Sequence, residues 1–239
     1  DGTIAQLAPP RAAGRGQTAE FAGFGARVSG IVVTAGAIRD AGADALARTI
    51  ADEVAVFEQR GCLSPHHLFV GDSDGRLTRD LANRVATALD HLARGPRPPP
   101  RALTLEDAAA IRRTRETARW RALGGQSVQL WEGAIPGWSV IYDRAAAFTA
   151  GPGFRTLQVS PFWDPDDLAR RLAPVAGRLE AMGFKASTVD SAAYLAQLQQ
   201  VLERAGASWI CAPGQMQSPP VDWAHGGGEF VGMLRRSRG

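Results

Sequence analysis

The sequence contains little cysteine, almost no lysine and no long apolar run, and each shortage excludes a class of protein. Cys62 and Cys211 are the only cysteines among 239 residues, which is too few for a disulfide framework and favours a reducing, cytoplasmic setting. No stretch approaches ~18 uninterrupted apolar residues, and no charged start leads into a short apolar segment. Neither a transmembrane helix nor a signal peptide is therefore expected.

The charge pattern gives no sign of a nucleic-acid partner. Lys185 is the only lysine among 27 basic residues, and the arginines are scattered rather than gathered into a basic patch with interleaved aromatic side chains. The net charge is +3, and 45% hydrophobic with 21% charged residues is ordinary for a soluble globular protein. A chain of this length can bury a sizeable core.

Extended and helical segments alternate along the chain, which predicts an α/β protein. Extended segments are predicted at 19–24, 28–34, 66–71, 155–162 and 207–212 and in the stretches "SVQLW" and "WSVIYD". Helices are predicted at 43–58, about 77–92, 104–123 and 191–205, and another begins at Asp164, is kinked by Pro174 and ends at Gly183. The proline-rich stretch 94–101 is predicted to be a surface connector.

Cys62 stands in a setting that admits three roles: a buried structural thiol, a metal ligand or a nucleophile. It follows Gly61, which we expect to end the preceding helix. A helix C-terminus carries partial negative charge, so this position should raise the pKa of the thiol. His66 and His67 enter a strand and point to opposite faces, which disfavours a metal site. Cys211 lies in an apolar strand and is expected in the core.

The stretch "WAHGGGEF" (223–230) is a second candidate site. Three glycines after His225 give a backbone that can approach a ligand closely. His225 is either an acid or orienting group, or part of a flexible C-terminal turn. The glycine-containing turns at 25–30 and 150–156 match neither a dinucleotide-binding fingerprint nor a phosphate-binding loop.

In combination, several blocks resemble the aldehyde dehydrogenase superfamily and, within it, the LuxC-type acyl-CoA reductase family of long-chain acyl-protein thioester reductases. The block "ADEVAVFEQRGCLSPHHLFVG" is similar to the segment that carries the nucleophilic cysteine, and it is the most specific part of the match. Four other blocks follow the order of the family: "DGTIAQL", "FAGFGARVSGIVV", "GPGFRTLQVSPFWDPDDLARRLAPVAGRLEAMGF" and "GASWICAPGQMQSPPVDWAHGG".

The resemblance implies an aldehyde-dehydrogenase-like catalytic domain with α/β/α layers and a role for each candidate residue. The Cys62 thiolate would attack an acyl thioester, and NADPH would reduce the acyl-cysteine to a fatty aldehyde. Gln59 would shape the cysteine turn, and His225 is the third catalytic candidate. Gly25 and Phe154 fall in blocks that face the cofactor. No metal is implied.

Partners are implied by the same resemblance. The substrate would be an acyl-CoA or an acyl-carrier thioester. In bacterial bioluminescence the family works with an acyl-protein synthetase and an acyl transferase, and a homo-oligomer is compatible with it. Two alternatives stay open: an aldehyde dehydrogenase acting oxidatively, and a non-catalytic interaction domain that docks through 94–101.

Two departures from the superfamily matter. Oxidising members carry a glutamate base in the stretch matched here by "FAGFG", where Phe24 and Gly25 stand and Glu20 comes only at the start, which fits a reductase. The cofactor domain lies mainly before the cysteine block in the superfamily, so we expect most of this Rossmann-like domain to be missing here. We assign 1–24 to its tail, 25–212 to the catalytic domain and 213–239 to a segment that returns toward the cofactor domain.

Overall fold

The structure is a computed structural model that describes residues 26–100 and 102–227. The predicted strand at 19–24, the segment 1–24 and Gly25 lie outside the described residues. Within the described ranges, no helix is both long enough and apolar enough to span a bilayer.

Strands and helices alternate along the described chain as the sequence predicts. The strands are β1 (Val28–Thr34), β2 (Pro65–Gly71), β3 (Val128–Glu132), β4 (Ser139–Asp143), β5 (Thr156–Phe162), β6 (Leu179–Lys185) and β7 (Trp209–Cys211). The helices are α1 (Ala35–Ala41), α2 (Ala43–Ala55), α3 (Arg76–Arg94), α4 (Leu105–Leu123), α5 (Pro165–Leu172) and α6 (Ala192–Arg204). Short 3₁₀ turns occur at Val56–Gln59, Ala173–Val175 and His225–Gly227.

The strands form one seven-stranded sheet in the order β3-β4-β5-β2-β1-β6-β7. Neighbouring strands are parallel except for the antiparallel pair β3–β4. Both faces of the central strands are buried, as parallel sheets require. On one face α2 and α3 pack over the sheet through Ile50, Val54, Leu81 and Val85, and on the other α5 and α6 do so through Leu168, Leu172, Leu198 and Leu202. The α/β/α layering is therefore confirmed.

The prediction of a helix from Asp164 to Gly183 is correct only at its start. Asp164 caps α5 by accepting a hydrogen bond from Asp167 N at 2.7 Å, but the helix ends at Leu172 and residues 179–185 form β6. The error has a physical cause. A bulge places two residues of β6, Glu180 and Ala181, opposite the single residue Ser29 of β1, so Leu179 and Met182 enter the same core cluster although they are three positions apart.

The helix before Cys62 also ends earlier than predicted. Residue Ala55 is the last of α2, and Gly61 does not terminate it. Instead Phe57, Glu58 and Gln59 take left-handed backbone conformations with φ of 52°, 53° and 59°. Such conformations cost roughly 1 kcal/mol or more for each residue with a side chain, so other contacts must hold this segment.

The Gln59 side chain holds the left-handed segment against the sheet. It is fully buried, and its amide nitrogen donates to Pro65 O at 2.7 Å and to Thr156 O at 3.0 Å. Its amide oxygen accepts from Thr156 N at 2.6 Å. One side chain thereby ties the cysteine turn to the first residues of both β2 and β5.

We expect Gln59→Leu to lower the free energy of unfolding by about 2–4 kcal/mol, because an apolar side chain removes three buried hydrogen bonds: the donor to Pro65 O and Thr156 O, and one of the two acceptors of Thr156 N, which also donates to Gly153 O. Urea unfolding followed by circular dichroism measures the change. The matched control is Gln199→Leu on α6, where an exposed side chain donates only to Glu203. Equal, small losses in both variants would contradict the anchoring role of Gln59.

Candidate active site

Cys62 lies in a turn whose backbone is fixed while its side chain is exposed. Its carbonyl oxygen accepts a hydrogen bond from Ser29 Oγ at 2.6 Å. The next carbonyl, of Leu63, accepts from Gln217 Nε2 at 3.2 Å, and Ser64 N donates to Gly61 O at 3.0 Å. The thiol is therefore presented to solvent from a turn with little freedom to move.

The structure brings His225 next to Cys62, although 163 positions separate them in the sequence. The distance from Cys62 Sγ to His225 Nε2 is 3.8 Å. The His225 ring stands edge-on to Trp223 with 4.9 Å between ring centroids, and its backbone N–H donates to Trp223 O at 2.9 Å. An imidazole at this distance from a thiol can exchange a proton with it.

A third group at the site, Glu180, was missed by the sequence analysis. It is fully buried in β6, and its Oε1 accepts from Gly226 N at 2.8 Å and from Ser208 Oγ at 3.3 Å. Arg27 Nε lies 3.7 Å from its Oε2. A single charged residue in the apolar run "LEAMGF" was the available signal, but the predicted helix made a glutamate there ordinary.

The environment raises the pKa of the Cys62 thiol. Burial of the thiol is the largest cause and the charge of Glu180 is the second, while backbone N–H groups of Cys62 and Leu63 partly oppose them. The raised pKa agrees with the prediction from the sequence, but the predicted cause, a helix C-terminus at Gly61, is wrong because α2 ends at Ala55. Half-buried Cys211 has its pKa raised to about 12, mainly by burial and then by Glu53.

Of the two adjacent histidines, His67 has a structural role. His67 is fully buried, its Nε2 lies 3.0 Å from Ser160 Oγ, and its ring stacks on Phe69 at 3.9 Å between centroids. Burial and then the charge of Arg171 hold the pKa of His67 well below its usual value. In residues 26–100 and 102–227, no group of three or more His, Cys, Asp and Glu side chains is arranged to hold a metal ion.

Phe154, predicted to face the cofactor, packs beside the cysteine turn. It is 6% exposed, its N–H donates to Glu58 O at 2.7 Å, and the Arg60 guanidinium lies 5.3 Å from its ring centroid. Gly25, the other residue predicted to contact the cofactor, lies outside the described residues, as do Glu20 and Phe24.

A nicotinamide dinucleotide would have to approach the exposed side chain of Cys62. The turn from β1 into α1, where a dinucleotide-binding domain would hold phosphates, is filled: a Cβ on Gly36 would lie 2.4 Å from Ser187 Cβ, and Thr34 Oγ1 donates to Asp190 Oδ2 at 2.6 Å. The Asp190 carboxylate and the loop that contains Ser187 therefore occupy the position that a phosphate group would need.

Comparison with solved structures shows the aldehyde dehydrogenase fold. The γ-glutamyl-γ-aminobutyraldehyde dehydrogenase of Burkholderia cenocepacia J2315 superposes with a TM-score of 0.59 at 14% identity, over 84% of this chain and 40% of that one. The indole-3-acetaldehyde dehydrogenase AldA of P. syringae, solved with NAD+ and IAA, gives 0.55 at 13% identity, over 84% and 40%. The chain thus spans about two fifths of the length of these dehydrogenases.

Sequence comparison gives the family. None of the curated protein sequences compared with this chain matches it significantly. The family model for acyl-CoA reductase (LuxC) matches residues 12–236, which is nearly the whole chain. Together with the fold, this match confirms the resemblance stated from the sequence blocks. The chain therefore belongs to the LuxC acyl-CoA reductase family and has the aldehyde dehydrogenase fold.

Proposed function

We propose that the chain carries the catalytic domain of a reductase that converts an acyl-CoA or acyl-protein thioester to an aldehyde, with Cys62 as the nucleophile. The observation that carries the proposal is the exposed Cys62 Sγ, 3.8 Å from His225 Nε2, on a fixed turn. Residues 25–212 would form the catalytic domain and 213–239 the segment that returns toward a cofactor domain. The family match supports the reaction class, and the fold supports aldehyde chemistry.

Acyl transfer to the enzyme follows from the geometry. His225 Nε2 takes the proton of the Cys62 thiol, and the thiolate sulfur attacks the thioester carbonyl carbon. The backbone N–H of Cys62 is the candidate donor to the oxyanion that forms. When the tetrahedral intermediate collapses, its bond to the leaving sulfur breaks and His225 returns the proton to that sulfur. Cys62 is then left as an acyl thioester.

Reduction requires a hydride donor. A nicotinamide dinucleotide, with NADPH as the expected form, would supply a hydride to the acyl carbon when bound. Of this chain's residues, Phe154 and Arg60 pack beside the cysteine turn and would shape its surroundings. Loss of the aldehyde breaks the bond between carbon and Cys62 sulfur and returns the thiolate, which takes up a proton from solvent, directly or through His225.

The contacts of Glu180 favour reduction over the oxidative alternative. An oxidising dehydrogenase needs a carboxylate free to activate the water that hydrolyses the acyl-cysteine. Glu180 is fully buried and its Oε1 accepts from Gly226 N and Ser208 Oγ, whereas its Oε2 makes no hydrogen bond and lies 3.7 Å from Arg27 Nε. A carboxylate that is buried away from solvent and paired with a guanidinium is poorly placed to take a proton from water, which preserves the thioester for reduction.

The acyl adduct tests the nucleophile. Incubation of the full-length protein with acyl-CoA and without NADPH should add one acyl group to the peptide that contains Cys62, because the thioester then has no route onward. Peptide mass spectrometry over a range of chain lengths measures the adduct. Cys62→Ala should abolish it and Cys211→Ala should retain it. The absence of an adduct at every chain length would contradict the proposal.

The pH dependence of alkylation tests the raised pKa of the thiol. Because burial and Glu180 disfavour the thiolate, the iodoacetamide rate of Cys62 should still rise with pH above about 8.5, the ordinary pKa of a free cysteine. At pH 8 Cys62 should react about tenfold or more faster than Cys211, whose pKa is about 12. Mass spectrometry of both peptides gives the rates. Equal, slow labelling of the two thiols would count against a nucleophilic Cys62.

A further inference from the structure

Glu180 occupies an unusual place for a carboxylate. It belongs to the segment Leu179–Met182, where β6 carries one residue more than the facing segment Val28–Gly30 of β1. Bulges of this kind re-aim side chains and are common next to active sites. Burial of a charged group is costly unless it is paired and hydrogen-bonded, yet this side chain is fully buried. Its contacts must therefore account for its presence.

Those contacts converge on the backbone beside His225. Glu180 Oε1 accepts from Gly226 N at 2.8 Å, and Gly226 takes a left-handed conformation with φ of 68°. Arg27 donates to Gly226 O from the other side and pairs with Glu180 through its Nε at 3.7 Å. Gly226 is thus bonded at both its N–H and its carbonyl, and the orientation of the preceding residue, His225, depends on these bonds.

A second set of hydrogen bonds links β6 to the cysteine turn. Ala181, the residue after Glu180, donates its N–H to Ser29 Oγ at 2.9 Å, and Ser29 Oγ donates to Cys62 O at 2.6 Å. One side of the bulge therefore fixes the backbone of Cys62, while the Glu180 side chain fixes the backbone next to His225. Separately, the charge of Glu180 is the second cause of the raised pKa of Cys62, which places the carboxylate within electrostatic reach of the thiol.

We propose that Glu180 is a positioning residue: its hydrogen bond from Gly226 N holds His225 Nε2 within proton-transfer reach of Cys62 Sγ. The assignment rests on the proposed function, in which His225 exchanges a proton with Cys62. The bond requires an acceptor oxygen at the end of a side chain as long as glutamate. Gln offers that oxygen without the charge, whereas Asp keeps the charge but is one methylene too short to reach.

A double-mutant cycle on Cys62 alkylation tests the assignment. The measured quantity is the factor by which His225→Gln slows the reaction of Cys62 with iodoacetamide at pH 8, determined in the wild-type, Glu180→Gln and Glu180→Asp backgrounds. In the wild type we expect slowing of about fivefold or more, in line with coupling between groups in contact. The factor should persist in Glu180→Gln and fall toward one in Glu180→Asp, because only the latter loses the bond to Gly226.

A merely structural Glu180 would change the rates but leave the His225→Gln factor the same in all backgrounds. Persistence of the factor in Glu180→Asp, or its loss in Glu180→Gln, would overturn the assignment. The matched control is Asp72→Asn, a buried carboxylate that accepts from Thr78 N at 2.9 Å at the other end of β2, and it should leave the factor unchanged. Alkylation uses no acyl substrate. Failure of acyl-CoA to label Cys62 would therefore contradict the proposed function but not the positioning role of Glu180.

Discussion

The hydroxyl group of Ser29 joins three neighbouring parts of the sheet, and the arrangement of the site depends on it. Ser29 Oγ donates to Cys62 O and accepts from Ala181 N, so it links the turn before β2 to the bulge of β6 across β1. Both neighbours of β1 change register at this level: His67 rather than His66 faces Gly30, and Met182 rather than Ala181 does so on the other side. Because β1, β2 and β6 are parallel, the cysteine turn before β2 and Glu180 near the start of β6 lie at the same end of the sheet.

The residues with left-handed backbone conformations before Cys62 are strained, and buried hydrogen bonds hold them in place. Phe57, Glu58 and Gln59 hold conformations that side chains disfavour, and buried hydrogen bonds from Gln59 to the starts of β2 and β5 compensate for that cost. A regular helix continued to Gly61 would have placed the negative end of its dipole against the thiol. The irregular turn removes this influence, and burial and Glu180 set the pKa of Cys62 instead.

Local patterns in the sequence were enough to predict most elements and an α/β protein, whereas the α/β/α layers were implied by the family resemblance. The helix starts at Thr104 and Asp164 could be predicted because capping depends on residues three apart. The β6 strand could not, because the bulge gives Leu179 and Met182 a helical spacing. Cys62 and His225 were each found by inspection of their surroundings, but their proximity depends on sheet order, which no local pattern contains. Glu180 was missed because the helix predicted over this stretch made a glutamate there ordinary.

The structure also separates two requirements that a thioester intermediate places on its surroundings. A proton acceptor must lie close to the sulfur, whereas a carboxylate able to activate water must not. His225 meets the first requirement, because its Nε2 lies 3.8 Å from Cys62 Sγ. Glu180 lies close enough to influence the thiol, yet it is fully buried, its Oε1 accepts from Gly226 N and Ser208 Oγ, and its Oε2 is paired with Arg27 at 3.7 Å. Proximity of a carboxylate to a nucleophilic cysteine therefore does not imply hydrolysis, because what matters is whether water can reach the carboxylate and give up a proton to it.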